Sequence, residues 1–313
     1  MTANLHGHGE LRESTSRKRS RFRFASISFD KLARTWIDDC CQNHANCGPA
    51  TDYPLPTRVI CVGHDNQDPY LMISNGAAGK WISLSYCWGT VETLKTTADN
   101  LEDHKKRIPL EKLPRTIRDA IMITRSLGIK YLWVDALCII QGSKEDWTKE
   151  SARMADVYRN SVVTIAASSA TNVQGSCFLG RNRLANLPCP ISFEAREGMG
   201  MTRWIHGARG VSWRDKITKS PLQQRGWTLQ EAQLSVRVLH YSDSELLWQC
   251  REGVRRELAA SDIVTADDPV VARRMFDAFS VVPRNVFSRW YHLVGEFTAR
   301  RLTFETDKLP AIS

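Results

Sequence analysis

Length and composition indicate an ordinary globular protein. The chain has 313 residues, of which 42% are hydrophobic and 25% charged, and this excludes wholesale disorder. A chain of this length accommodates about two domains of ~100–200 residues each. No stretch approaches the ~18 apolar residues of a membrane-spanning helix, and the amino terminus lacks the apolar core of a secretory signal. We therefore expect a cytoplasmic protein with no membrane span, whose nine cysteines are reduced thiols.

The net charge of +9 is partly local. Residues 1–27 form a basic leader with six Lys and Arg side chains against two Glu, a local charge of +4. Two interpretations are open: a solvated, disordered tail, or a basic segment that directs nuclear import or touches nucleic acid. The remaining +5 is spread over the rest of the chain, so we expect no specific nucleic-acid partner.

The first predicted elements lie between residues 28 and 90. Leu32 and Trp36 are four residues apart, a spacing that predicts a short helix. A Pro- and Asn-containing loop follows, and RVICV (58–62) then predicts a strand. The run WISLSYCW (81–88) predicts a further strand.

The middle of the chain alternates between helices and strands. An apolar stripe over residues 114–127 predicts a helix, which Gly128 ends. The nearly continuous apolar run 131–140 predicts a strand buried on both faces. A helix is predicted from residue 144 to 159, and the β-branched run 161–168 predicts another buried strand.

This alternation predicts an α/β fold in which a parallel sheet is flanked by helices, with irregular N- and C-terminal extensions. Loops after the carboxyl ends of such strands form the usual binding crevice, and residues 86–90 and 135–141 follow two predicted strands. Residues 171–221 read as irregular. A strand pair is then predicted over 234–250, and a helix around Trp290.

Glu150 is the most informative single residue. On a helix over 144–159 it falls on the same stripe as Trp147, Met154 and Val157. A carboxylate that faces the interior is costly unless it is paired or functional. It therefore forms either a buried ion pair, with an arginine such as Arg225, or a catalytic or ligand-binding group.

Asp135 presents the same choice. It interrupts the apolar run 131–140, so its carboxylate also requires a hydrogen-bond donor. At the carboxyl end of a strand it would point to the crevice. The alternative is that it caps a neighbouring helix or loop.

Cys40, His44 and Cys47 have the spacing C-x3-H-x2-C, which resembles a metal-ligand pattern. Zinc requires four ligands, and Cys61 is a candidate for the fourth. A zinc site and unligated thiols are both open interpretations, because a second C-x2-C pair is missing.

The segment 224–231 concentrates amide, charged and aromatic side chains. Arg225 and Glu231 either form a salt bridge that locks a turn onto the core or contact a ligand directly. No Gly-rich phosphate-binding loop is present in the sequence.

Four motifs together resemble the fungal heterokaryon incompatibility (HET) domain. They are SLSYCWG (83–89), YLWVDALCIIQ (131–141), DWTKESARMADVY (146–158) and RGWTLQEAQLSVRVLHY (225–241). The resemblance implies a role in fungal nonself recognition, in which contact between genetically different partners triggers programmed cell death. It also implies a fold remotely similar to TIR domains, which are flavodoxin-like, and some TIR domains cleave NAD with a helical glutamate.

These expectations divide the chain and assign its residues. We expect a disordered basic leader at 1–27, a Cys/His-containing extension at 28–80, the HET domain at 81–235, and a truncated C-terminal segment with a strand pair and a helix at 236–313. By analogy with TIR domains, Glu150 and Asp135 are the candidate catalytic residues, and NAD is the candidate substrate. The candidate substrate-binding residues are Trp88, Gln141, Arg225, Gln230 and Glu231.

Two classes of function follow from this resemblance. The first is an enzyme that depletes NAD. The second is a non-enzymatic module that signals by binding a protein partner or by self-association, in which the inward polar residues only specify the fold.

Overall fold

The computed structural model describes most of the chain. The described residues are 16–64, 67–180, 189–193, 203–207, 213–257, 286–302 and 308–312. Within these ranges, no helix has both the length and the apolar character needed to cross a membrane.

The described residues of the amino-terminal half form five α-helices and six strands. Its elements are α1 (Ser16–Asn43), β1 (Tyr53–Pro54), β2 (Arg58–Cys61), β3 (Tyr70–Ile73), β4 (Ala78–Gly79), β5 (Trp81–Ser85), α2 (Leu101–Lys106), α3 (Arg115–Ser126), β6 (Tyr131–Trp133), α4 (Asp135–Cys138) and α5 (Lys144–Ser151).

The carboxyl-terminal half completes the sheet. Its elements are α6 (Met154–Arg159), β7 (Thr164–Ala166), β8 (Cys189–Phe193), β9 (Arg203–Gly207), α7 (Trp213–Thr218), α8 (Trp227–Leu234), β10 (Arg237–Tyr241), β11 (Leu246–Cys250), β12 (Gly253–Arg256) and α9 (Val286–Thr298). A 3-10 turn at Pro221–Gln224 precedes α8.

One mixed sheet of eight strands organises the fold. Its order is β12-β11-β10-β7-β5-β6-β2-β3. The four central strands β10, β7, β5 and β6 are parallel. Antiparallel pairs flank them, with β11 and β12 at one side and β2 and β3 at the other. The expected α/β class is confirmed, and so are the predicted strand at 58–62 and the predicted strand pair over 234–250, which are β2, β10 and β11. The sheet is mixed and not purely parallel, because β2, β3, β11 and β12 join it through antiparallel pairs.

Burial on both faces explains the central strands. All residues of β5 and β7 are buried, as their apolar and β-branched composition predicts. The indole of Trp81 donates a hydrogen bond to the carbonyl of Val157, at 3.0 Å. This bond fixes α6 against β5 and satisfies a buried polar group.

The predicted strand over 131–140 is wrong beyond Trp133. The chain instead turns into the short helix α4, in which the amides of Leu137 and Cys138 both donate to the carbonyl of Val134. A continuous apolar run fits a buried helix as well as a buried strand, so hydrophobicity alone did not separate them. Asp135 is thereby the first residue of α4, and Val134 alone separates it from β6.

The predicted helix over 144–159 is divided into α5 and α6, with a break at 152–153. Ser143 caps α5 by accepting a hydrogen bond from the amide of Asp146. Trp147, placed on the apolar stripe by the sequence pattern, is exposed and packs edge-on against Trp227. The break changes the register of the apolar face, which a single continuous helix cannot anticipate.

The other predicted helices are confirmed. Helix α3 ends at Ser126, and Gly128 follows with φ of +74°, the left-handed conformation that favours glycine. Helix α9 contains the predicted helix around Trp290. Helix α1 is longer than expected and begins at Ser16, within the basic leader. Residues 1–15 of that leader lie outside the described residues.

Candidate functional site

The carboxyl ends of the parallel strands define a candidate crevice. From β5 the chain crosses to β6 on one side, and the next two parallel strands, β7 and β10, lie on the other side. In open α/β sheets, ligands bind where the strand order changes direction in this way. Ser85 ends β5 at that point, and Tyr86 follows it.

Asp135 lies at this edge because β6 stops two residues earlier. Its carboxylate accepts hydrogen bonds from the indole Nε1 of Trp88, at 2.9 Å, and from the amide of Ala136, at 2.7 Å. Burial raises the pKa of Asp135 above its ordinary value, against the lowering effect of the positive charge of Arg225. The carboxylate thus binds a side chain of the loop after β5 and the first amide that follows it in α4.

Glu231 is the second carboxyl group at this edge. It belongs to α8, is only 4% exposed, and accepts a hydrogen bond from the hydroxyl of Ser85. Burial raises its pKa from 4.5 to about 7, and the charge of Asp135 adds to this effect. The charge of Arg225 and the Ser85 hydrogen bond oppose it. Glu231 therefore changes its protonation state near neutral pH.

Arg225 connects the two carboxyl groups electrostatically. Its guanidinium donates a hydrogen bond to the carbonyl of Tyr86, and its charge lowers the pKa of both Asp135 and Glu231. The backbone holds it in place, since Arg225 forms a β-bridge with Arg301. Among the described residues Arg225 and Glu231 do not form a direct salt bridge, so that interpretation of the segment 224–231 is wrong, and direct ligand contact stays a prediction.

Two buried tyrosines, Tyr86 and Tyr158, lie near Asp135 and Glu231. Burial and the charge of Asp135 raise the pKa of Tyr86, and burial and the charge of Glu231 raise that of Tyr158. Both phenols therefore stay protonated at neutral pH. We call Asp135 and Glu231 the carboxyl pair. With Arg225 it offers a buried carboxyl group whose pKa is raised, a second carboxyl group with a pKa of about 7, and a guanidinium.

Glu150 faces inward, at 2% exposure, but outside the carboxyl pair. Its Oε1 lies 3.8 Å from Nη2 of Arg58, so its ion-pair partner is Arg58 and not the suggested Arg225. Arg58 also contacts Asp146, at 2.5 Å, and donates to the carbonyl of Cys138, at 2.6 Å. Because Cys138 ends α4 and Asp135 begins it, this ion cluster holds the far end of the helix that carries Asp135.

Three further candidate residues lie around the carboxyl pair. Trp88 and Gln141 are half-buried, and Gln141 donates to the backbone carbonyls of Asp135 and Ile139, at 3.3 and 3.1 Å. Gln230 neighbours Glu231 in sequence, and its buried Oε1 accepts no hydrogen bond from the described residues. The structure thus brings Trp88, Gln141 and Arg225 to Asp135, as the sequence suggested.

A second group lies at the end of β11, where Cys250 pairs with Arg237 at the amino end of β10. The donor atoms of Cys40, His44, Cys47 and Cys250 all lie within 4.8 Å of one another. This cluster contains the three residues singled out by spacing, but its fourth member is Cys250. Cys61, the suggested fourth ligand, is on β2 and instead interacts with the hydroxyl of Tyr70. These residues can hold a metal ion.

Sequence reasoning missed two functional candidates. Ser85 carried a signal, because Ser83 and Ser85 are alternate polar residues in a strand that is otherwise apolar and buried. Such hydroxyls require partners, and Ser85 finds Glu231. Cys250 carried no local signal, since it lies 203 positions after Cys47 and only the strand order brings them together.

A comparison with protein families identifies the central part of the chain. Residues 81–231 match the model described as "Heterokaryon incompatibility protein (HET)". No curated protein and no solved structure matches the chain. The matched range contains both members of the carboxyl pair and Arg225. Residues 81–231 are therefore a heterokaryon incompatibility (HET) domain.

Proposed function

We propose that this protein is an effector of fungal nonself recognition that triggers programmed cell death by cleaving NAD at the carboxyl pair. One observation carries the proposal: Asp135 and Glu231, two carboxyl groups with raised pKa values, lie with Arg225 at the carboxyl edge of the parallel strands. Perturbed acids at a strand-end crevice are typical of catalytic sites.

The strand order supports a remote similarity to the flavodoxin-like fold of TIR domains. Counted along the chain from β5, the parallel strands have the order 2-1-3-4. This is the beginning of the flavodoxin order, in which ligands bind between the first and third strands. Here those strands are β5 and β7. Fold similarity alone does not assign an activity, so the residues at that point carry the chemical argument.

The proposed reaction is hydrolysis of the bond between C1′ of ribose and the nicotinamide nitrogen. That bond breaks with its electron pair going to nicotinamide, which leaves as a neutral molecule, and C1′ develops positive charge. A water molecule forms the new bond to C1′ and loses a proton, and the products are ADP-ribose and nicotinamide. Asp135 stabilises the developing cation. Glu231, whose pKa is about 7, accepts the proton.

The surrounding residues bind the substrate in this proposal. Arg225 pairs with the diphosphate, for which a guanidinium is well suited. Trp88 offers an aromatic face and holds Asp135 through its indole nitrogen. Gln141 and Gln230 contact polar groups of the nucleotide, and the buried Oε1 of Gln230 has an open acceptor position among the described residues.

Glu150 has two possible assignments, which the same experiment separates. The first, from the analogy with TIR domains, makes Glu150 the catalytic glutamate. The second makes it a positioning residue, which acts on Asp135 through Arg58 and α4. We propose the second, because Glu150 is already ion-paired and Glu231 is the glutamate whose pKa lies near neutrality.

The test is nicotinamide release from NAD by the purified full chain and by four variants. Glu231→Gln and Asp135→Asn are expected to abolish release while the circular dichroism spectrum stays that of the wild type. Asp243→Asn, a change of an exposed carboxylate in the loop after β10, serves as the matched control and is expected to retain activity. Glu150→Gln is expected to retain part of it. Wild-type protein that leaves NAD intact at all concentrations tested would remove the enzymatic proposal.

The alternative proposal is a non-enzymatic signalling module that self-associates in the cytoplasm or, through its basic leader, in the nucleus. Helix α9 favours it, because Phe287, Trp290 and Tyr291 are exposed aromatic residues on this one helix. Light scattering tests this alternative: a stable oligomer that Tyr291→Ser and Phe287→Ser convert to a monomer supports it. Cell death that persists in Glu231→Gln and is lost in those two variants would replace the first proposal.

A further inference from the structure

We propose that Cys40, His44, Cys47 and Cys250 bind one zinc ion, which fastens helix α1 to strand β11. This inference is independent of NAD cleavage. None of the four ligands lies within the HET domain at 81–231: three precede it and one follows it.

The distances between donor atoms fit tetrahedral zinc. With Zn–S bonds of about 2.3 Å and Zn–N bonds of about 2.0 Å, the donor atoms lie about 3.5–3.8 Å apart. His44 Nδ1 lies 3.2 Å from the sulfur of Cys250 and 4.0 Å from that of Cys47. All four donor atoms fall within 4.8 Å of one another. Small side-chain movements therefore complete the coordination shell.

The backbone brings three of the ligands together without help from a metal. Cys40 is in the last turn of α1, and the amide of His44 donates to its carbonyl, at 3.2 Å. The amides of Cys47 and Gly48 then both donate to the carbonyl of His44. Gly48 has φ of +63°, a conformation that favours glycine, so this turn is encoded in the sequence. The three ligands are thus held on one turn, facing the end of β11.

Arg237 provides an independent indication of negative charge at the cluster. This side chain is 3% exposed, and its Nε lies 3.2 Å from the sulfur of Cys40. Its remaining contacts are the carbonyls of Cys47 and Gly48, and among the described residues no carboxylate forms an ion pair with it. A buried guanidinium requires an anionic partner. Three thiolates, one neutral imidazole and Zn²⁺ carry a net charge of −1, which supplies that partner.

The second ring nitrogen of His44 also has an outer partner. Nε2 lies 4.0 Å from a carboxylate oxygen of Asp39. Zinc-bound histidines commonly direct their free nitrogen to a carboxylate, which fixes the tautomer that leaves Nδ1 open to the metal. Asp39 is itself held by Arg255 of β12. The outer contacts of the cluster therefore come from both α1 and the β11–β12 hairpin.

A zinc ion at this place joins parts of the chain that are distant in sequence. Helix α1 already packs on β11 through Trp36 and Trp248, whose ring centroids lie 6.4 Å apart. The metal adds a second connection at the end of that contact and closes a loop from Cys47 to Cys250. The unfolded chain holds no preformed zinc site, so structural zinc binds the folded state. Its binding free energy therefore contributes to folding.

The experiment is elemental analysis of the full chain, purified with a reductant and without chelators. One zinc per chain is expected. Cys250→Ser and Cys47→Ser are expected to lose it, whereas two control variants, Cys41→Ser and Cys61→Ser, are expected to retain it. These controls remove one thiol next to Cys40 and one at the rejected position on β2. Chelation of the wild type is expected to release the zinc and to lower the melting temperature.

A measurement on the wild-type sequence covers the case in which the ligand variants do not fold. After exchange with Co²⁺, the protein is expected to show the intense visible bands of tetrahedral cobalt and sulfur-to-cobalt charge transfer in the near ultraviolet. Protein that is folded, metal-free and rich in titratable thiols would overturn the proposal. So would a disulfide between any two of the three cysteines in the freshly isolated, unreduced protein, or a Co²⁺ complex without sulfur bands.

Discussion

Replacing Glu231 with glutamine changes the pH dependence of stability, and the size of the change follows from its environment. Burial raises the pKa of Glu231 from 4.5 to about 7 in the folded protein. Between these two values the folded chain holds a proton that the unfolded chain releases. Stability contributed by the protonated carboxyl group is therefore fully present below pH 4.5 and is lost as the pH rises to about 7.

The magnitude is set by the difference between the two pKa values. At about 1.4 kcal/mol per pKa unit, this one group lowers the free energy of unfolding by about 3 kcal/mol between pH 4.5 and pH 8. Glutamine has no proton to lose and still accepts the hydrogen bond from Ser85. The free energy of unfolding of Glu231→Gln minus that of the wild type is thus expected to rise by about 3 kcal/mol between pH 4.5 and pH 8.

The assay is urea unfolding followed by tryptophan fluorescence at several pH values. Burial lowers the pKa of His240 to about 4, and this gives both proteins an opposite pH dependence below pH 6.5. The difference in stability between variant and wild type removes this shared contribution. Glu102→Gln, an exposed change on α2, is the control and is expected to follow the wild type. Equal pH dependence in Glu231→Gln and the wild type would refute the buried-acid interpretation.

Two further predictions concern the supports of the site. Arg58→Met leaves two carboxylates without their cation, and we expect a loss of about 3–5 kcal/mol in the free energy of unfolding. Arg107→Met breaks an exposed pair and is expected to cost less than about 1 kcal/mol, so equal losses would contradict this ranking. Gly89→Ala is expected to cost about 2–4 kcal/mol, because φ is +72° and the new Cβ collides with the Cβ of Asn172 and also lies close to its Cα. Gly142→Ala, at φ of +85° with open space around it, is expected to cost only the backbone strain of about 1 kcal/mol, and thermal unfolding of both measures the packing part.

Local periodicity predicted most of the central α/β unit. The buried strands β5 and β7 and the helix α3 follow from composition and apolar spacing. The 131–140 run shows where this approach fails. Its apolar residues are buried in both a strand and a short helix, and only the backbone hydrogen bonds to the carbonyl of Val134 distinguish the two.

The sequence predicts Glu150 and Asp135 as catalytic candidates and places Glu231 among the substrate-binding residues, so it does not pair Asp135 with Glu231. Asp135 and Glu231 were both singled out, the first for interrupting an apolar run and the second within a polar segment. Their proximity depends on strand order, which places the end of β6 beside β5 and α8 across the same edge. The same reasoning explains Arg58, whose pairing with Glu150 joins β2 to α5 and has no local pattern.

Our central proposal is that the carboxyl pair causes cell death by cleaving NAD. Its most direct test is expression of the full chain in a fungal host, with cell viability and NAD content measured in the same cultures. We predict that the wild type kills the cells as their NAD falls, and that Glu231→Gln at equal protein levels does neither. Cell death with a normal NAD content, or equal killing by Glu231→Gln, would contradict the account.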